Sequence, residues 1–95
     1  MILSFGDKET EMIFLGFKSK KLPINIQLLA RKKLKIIHFA NSLSTLSVPP
    51  GNKLEALKGK RIGEWGVRIN NQWRIVFTPI NGGTDYMNVS MEDYR

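Results

Sequence analysis

After Gly59 the apolar residues of this sequence fall at every second position. Trp65, Val67 and Ile69 alternate with Gly66, Arg68 and Asn70. Trp73, Ile75 and Phe77 alternate with Arg74, Val76 and Thr78, and Met87, Val89 and Met91 with Asn88, Ser90 and Glu92. A period of two is that of a half-buried strand, because successive Cβ atoms point to opposite faces. Asn70-Asn71 tolerates left-handed backbone and marks a tight hairpin between the first two runs. Pro79 ends the second run, and Asn81-Gly82-Gly83-Thr84 turns the chain into the third. The C-terminal part therefore reads as a three-strand meander with one apolar face. That face must be covered, and this constrains the fold more than any other feature.

The cover has to come from the N-terminal half. Ile2 to Phe5 reads as a short strand, broken by Gly6-Asp7. Asp7 is an N-cap candidate, and Glu9 and Glu11 suit the first turn of a helix carrying Met12, Ile13 and Leu15 and fading near Gly16. Lys18 to Leu22 is a basic link. Pro23 suits the first turn of a longer helix running to about Asn41. Ile26, Leu29, Ala30, Ile36, Ile37 and Ala40 share one broad arc of it. Arg31, Lys32 and Lys35 fall off that arc; Lys33 falls on it, and its stem is expected to snorkel. Ser42 to Asn52 is a loop marked by Pro49-Pro50-Gly51-Asn52. The expected fold is a small α+β domain spanning residues 1–95: an N-terminal strand, then two helices packed on one face of an antiparallel sheet.

Charge narrows the function. Lys and Arg number 15 against 8 acids, a net charge of +7 in 95 residues, which suggests a polyanionic partner. With no cysteine there is no disulfide framework and no thiolate chemistry. Met1-Ile2-Leu3-Ser4-Phe5 runs into charge, so neither a signal peptide nor a membrane span is expected, and the cytoplasm is the expected compartment.

Strict alternation places Arg68, Arg74, Asn88, Ser90, Glu92 and Tyr94 on the sheet face away from the helices. An ordinary solvated face carries the same residue types. The segregation of charge favours a working surface: Lys53, Lys58, Lys60, Arg61, Arg68 and Arg74 are opposed between residues 53 and 74 only by Glu55 and Glu64. A phosphate chain crossing that face meets several cations and an aromatic ring on which a base can stack. Metal catalysis, nucleophilic triads and cofactor chemistry find no residue set: there is one histidine, His38, read as a surface residue, and no glycine-rich phosphate loop follows a strand. RNA cleavage by the substrate's own 2′-hydroxyl remains open. It needs orientation, charge stabilisation and two proton transfers.

Three stretches carry a family likeness. Pro49-Pro50-Gly51-Asn52-Lys53-Leu54-Glu55-Ala56-Leu57-Lys58-Gly59, Val67-Arg68-Ile69-Asn70-Asn71-Gln72-Trp73-Arg74-Ile75-Val76-Phe77 and the ending Glu92-Asp93-Tyr94 resemble HigB-type toxins of the RelE/ParE superfamily. The resemblance implies a RelE-like fold and a ribosome-dependent mRNA endonuclease. It implies a HigA-like helix-turn-helix antitoxin as partner, DNA contact only through that complex, and no membrane partner. It puts catalytic roles on Lys58, Arg68, Arg74, Asp93 and Tyr94. Many relatives end Asp-Tyr-His where this chain ends Asp93-Tyr94-Arg95, and some carry histidine where Glu55 stands. Arg95 keeps a positive charge but cannot yield a proton at neutral pH.

Arg74 is the leading candidate, on a strand fixed by Trp73; its structural alternative is a salt bridge to Glu92. Lys53, Lys60, Arg61 and Arg95 are expected phosphate contacts. Glu55 is a general base if its environment raises its pKa. Asp93, on the helix side by alternation, is expected to orient a neighbour. Three functions stay open: an endoribonuclease toxin, a ribosome or RNA binder that inhibits by occupancy, and a gyrase-directed toxin of the ParE type.

Overall fold

The computed structural model describes residues 1–48 and 50–94; Pro49 of the proline loop and the terminal Arg95 lie outside the described residues. Two helices, α1 (Lys8–Phe14) and α2 (Ile24–Phe39), precede four strands: β1 (Glu55–Ala56), β2 (Trp65–Arg68), β3 (Trp73–Ile80) and β4 (Asp85–Asp93). The strands form one antiparallel sheet in the order β1-β2-β3-β4. The N-terminal segment lies parallel to β4, through bridges of Ile2 with Tyr86 and Phe5 with Val89.

Local chemistry explains the helices. Asp7 caps α1, its Oδ1 accepting from Thr10 N at 2.7 Å. Gly16, at φ +95°, takes the left-handed conformation that stops α1. The basic link is tied down: Gln27 Nε2 donates to the carbonyls of Ser19 and Leu22, both at 2.9 Å, and the buried Ser19 hydroxyl donates to Glu9. One seam of α2 is buried, made of Ile26, Ala30, Leu34 and Ile37. The expected arc was too broad: Leu29 and Ile36 are 40% and 43% exposed, and Leu34 takes their place inside. Lys33 does not snorkel outward; its ammonium donates to the buried Asn52 side chain.

His38 is a packing residue, not a surface one. Its Nδ1 accepts from Ile2 N at 3.1 Å, and its ring lies 5.2 Å from that of Phe14 and 4.9 Å from that of Phe39.

The meander departs from strict alternation at one point. Asn88 adopts φ +54° and the β3–β4 register shifts between Val76 and Thr78. Such a bulge moves every side chain before it to the other face. Tyr86 is therefore fully buried, edge-on to Phe77 at 5.2 Å with its hydroxyl donating to Gly83 O at 2.6 Å, while Met87 is exposed. Pro79 does not end β3, which runs to Ile80, because the sheet partner β4 still pairs there. The Asn70-Asn71 turn uses no left-handed residue. Asn70 Oδ1 instead accepts from the backbone N–H groups of Gln72 and Trp73, each at 2.8 Å. The face away from the helices is not wholly polar either, since Val76 is buried on it.

Candidate functional site

The sheet register lines up the polar face. Arg68 on β2 pairs with Arg74 on β3, which pairs with Glu92 on β4, so the three stand in one cross-strand row. Glu55 on β1 pairs with Gly66 one step along. Two cavities open on this face. One, of about 240 Å³, is lined by Lys53, Glu55, Gly66, Arg68, Arg74 and Tyr94. The other, of about 310 Å³, is lined by Glu55, Ala56, Leu57, Lys58, Arg61 and Arg74. Arg74 and Glu55 belong to both, and stand at their divide.

Arg74 is the most constrained cation of the face, its side chain only 17% exposed. Its Nε and Nη2 donate to Glu92 Oε1 at 3.0 and 2.7 Å, and its guanidinium carbon lies 5.2 Å from the centre of the Tyr94 ring. Nη1 lies 3.6 Å from Glu55 Oε1. Tyr94 is held in turn, its hydroxyl donating to Asn70 O at 3.0 Å. Arg68 is drawn toward the same hairpin: Nε donates to Asn70 O at 3.0 Å and Nη2 to the Asn71 side chain.

Arg61, expected to contact phosphate, is engaged by two carboxylates. Nη1 and Nη2 donate to Glu92 at 2.7 and 2.9 Å, and Nη2 and Nε donate to Glu64 at 3.0 and 3.3 Å. These bonds to Glu92 and then Glu64 hold its pKa above the usual guanidinium value. Lys53 and Lys58 are exposed at the rims of the two cavities. Lys60 and Asp93 line neither; Asp93 Oδ2 accepts from Gln72 Nε2 at 2.8 Å at the exposed edge of the sheet.

Sequence reasoning missed the hub of this network. It weighed Glu92 only as a salt-bridge partner of Arg74 and did not connect it to Arg61, 31 positions away. The centre of the face is consequently close to neutral, Arg61, Arg68 and Arg74 against Glu55, Glu64 and Glu92, with Lys53 and Lys58 at its edges. Such a surface offers steering charge at the rim and oriented donors in the middle.

The hub also sets a pH dependence. Hydrogen bonds from Arg61 first, then Arg74, hold the Glu92 carboxyl below its ordinary 4.5, against an opposing effect of burial. A depressed folded-state pKa stabilises the fold fully above the unfolded-state value, where the group is ionised in both states, and the contribution is lost as pH falls through the folded pKa. We expect Glu92→Gln to melt below wild type at neutral pH, with the gap closing as pH falls below the ordinary 4.5 and through the depressed folded-state value. An equal gap across that range would show that the carboxylate charge is not what holds the two arginines.

Among the described residues no group of His, Cys, Asp and Glu is placed to hold a metal ion, and no helix is long and apolar enough to cross a membrane. The groups that line the cavities can bind and orient an anion, and Tyr94, Glu55, Lys53 and Lys58 are the side chains among them that can exchange a proton.

The family described as HigB-like toxin, a RelE-like toxin of the type II toxin-antitoxin system HigB, matches residues 3–92. A protein named Toxin HigB-1 from Vibrio cholerae serotype O1 is 36% identical over 83 residues, 86% of this chain and 87% of its own. One named Endoribonuclease HigB from Proteus vulgaris is 32% identical over 95 residues, the full length of both. The structure of a YoeB/ParE toxin from Agrobacterium tumefaciens shares the fold, with a TM-score of 0.54 at 15% identity over 99% of this chain and 98% of that one. With a match across nearly its whole length and the two-helix, antiparallel-sheet architecture of such toxins, the chain belongs to the HigB-like family of RelE-superfamily toxins from type II toxin-antitoxin systems.

Proposed function

We propose that this toxin is an endoribonuclease that cuts mRNA on the ribosome, with residues 1–95 acting as one RelE-like domain in the cytoplasm. The substrate's 2′-hydroxyl attacks the adjacent phosphorus, a base takes its proton, and the 5′-oxygen leaves with a proton from an acid. The products are a 2′,3′-cyclic phosphate and a 5′-hydroxyl, and no metal or cofactor enters. The observation that carries this reading is the position of Arg74. It stands at the divide of two nucleotide-sized cavities, on an inner strand, with Tyr94 against it. A phosphate at that divide would have its flanking nucleotides in the two cavities. Lys53 and Lys58 would hold the chain at either rim, and Arg68 would brace the first cavity. The Proteus vulgaris relative's name, Endoribonuclease HigB, supports the reaction class.

A second reading is inhibition by occupancy. It is favoured by the binding face itself, where no histidine lines either cavity and Glu92 occupies donors of both arginines. In either case the partner is a HigA-like antitoxin with a helix-turn-helix domain, and DNA is met only through that complex.

Mapping mRNA 5′ ends in cells after induction tests these readings. In-frame cuts that vanish when the adjacently encoded antitoxin is co-expressed are the expected result. Translation arrest over intact mRNA would favour occupancy, and a DNA-damage response over intact mRNA would favour a gyrase-directed toxin.

A further inference from the structure

Glu92 has an electrostatic cost for an RNA-binding surface. It places a negative charge in the middle of the face, and it takes donors from both arginines. Oε1 accepts from Arg74 Nε and Nη2 and from Arg61 Nη1, and Oε2 from Arg61 Nη2, all within 2.7 to 3.0 Å. The arrangement is directional. It fills the Nε–Nη2 edge of Arg74 and leaves Nη1 with only a long approach to Glu55, 3.6 Å, past good hydrogen-bond length. It also holds two like-charged guanidiniums side by side, which repel without a shared anion.

We infer that Glu92 is a positioning residue for RNA cleavage: it clamps one edge of Arg74 so that Nη1 is presented to the backbone phosphate, and it keeps Arg61 alongside as a second cation. The inference rests on the reading of Arg74 as the cation that meets the phosphate. Its two consequences have opposite signs. Removing the carboxylate removes repulsion toward RNA, so binding is kept or strengthened. It also frees Arg74 to swing onto Glu55, so the chemical step slows. A strut that only stabilised the fold would not separate the two.

The test is single-turnover cleavage of a short mRNA on bacterial 70S ribosomes. Glu92→Ala is expected to lower the maximal rate about tenfold or more, with a half-saturating toxin concentration no higher than wild type. Glu92→Gln keeps the shape and one acceptor oxygen, and is expected to recover part of that rate. In both, the Arg74 Nε–H resonance in a nitrogen-15 spectrum should move from its carboxylate-bonded position. A folded Glu92→Ala that cleaves at the wild-type rate while Arg74→Ala is inert would overturn the role of Glu92 and leave that of Arg74. So would a raised half-saturating concentration with an unchanged maximal rate. Arg74→Ala at full activity would instead overturn the reading beneath. Should Glu92→Ala not fold, Glu92→Gln decides: a wild-type rate with an unmoved Arg74 resonance overturns the inference.

Discussion

Arg74→Ala is expected to yield a folded protein that no longer inhibits growth. The fold survives because Glu92 keeps both bonds to Arg61 when Arg74 is gone, and because Trp73, Ile75 and the β2 and β4 partners hold β3 in place. Losing one well-oriented cation at a phosphorane-like transition state costs on the order of 3 kcal/mol, about a hundredfold in rate. Arg95→Ala is expected to be mild. The preorganised cation of the face is Arg74, held by Glu92 and by the Tyr94 ring. Arg95→His is expected to raise cleavage, because it supplies a group that titrates near neutral pH. Growth inhibition, in vitro cleavage and circular dichroism together check the set. A folded and fully toxic Arg74→Ala would remove the sheet face from the reaction.

That Arg68, Arg74 and Glu92 share a face was legible in the sequence, because a period of two sorts side chains to opposite sides of a sheet. Their row was not, because a two-residue turn at Asn70-Asn71 would set Arg68 opposite Trp73, and it pairs with Arg74. The same logic failed at Asn88. The bulge here turns on one residue, Asn88, with a left-handed φ, and nothing in an alternating run announces it. Strict alternation puts Met87 on the apolar face and Tyr86 off it, and the bulge reverses both. On α2 the helical period was legible but its width was not. Both Leu29 and Leu34 fit a broad arc, and which is covered depends on elements packed from elsewhere in the chain. The two-residue β1 was invisible because Glu55-Ala56 has no strand propensity and is held in place by pairing with Trp65 and Gly66.

The site divides along the same line. Residues placed by strand geometry were legible. Arg61 was not, because the turn carrying it reaches Glu92 through tertiary folding, and a sequence reading counts it as one more cation in a basic stretch. Its commitment to Glu64 and Glu92 changes what the charge count means. Most of the net charge of +7 lies in the helical half, where 8 Lys and Arg stand against 3 acids up to residue 48; on the working face Lys53 and Lys58 supply charge at the rim and the arginines at the centre serve geometry.

Lys33 and Asn52 give the largest stability effect expected here. Asn52 is fully buried; its Nδ2 donates to Leu46 O at 3.2 Å, and its Oδ1 accepts from the Lys33 ammonium. Burial lowers the Lys33 pKa, and the Asn52 oxygen is the acceptor its ammonium meets there. Asn52→Ala leaves a buried carbonyl and a partly buried ammonium unsatisfied at once. The expected loss is about 3 kcal/mol, roughly 15 °C in melting temperature for a domain of this size. Lys33→Met in the Asn52→Ala background removes the stranded charge, so the double variant is expected to melt above the single. An Asn52→Ala protein melting within a few degrees of wild type would show that water replaces the side chain. The effect reaches the site through the backbone. Asn52 is followed by Lys53 at φ +44°, and then by the segment that carries Glu55 into β1. With its anchor to α2 removed, that segment no longer holds Glu55 beside Arg74 or Lys53 at the cavity rim. Cleavage by Asn52→Ala is therefore expected to fall even at temperatures where the protein remains folded.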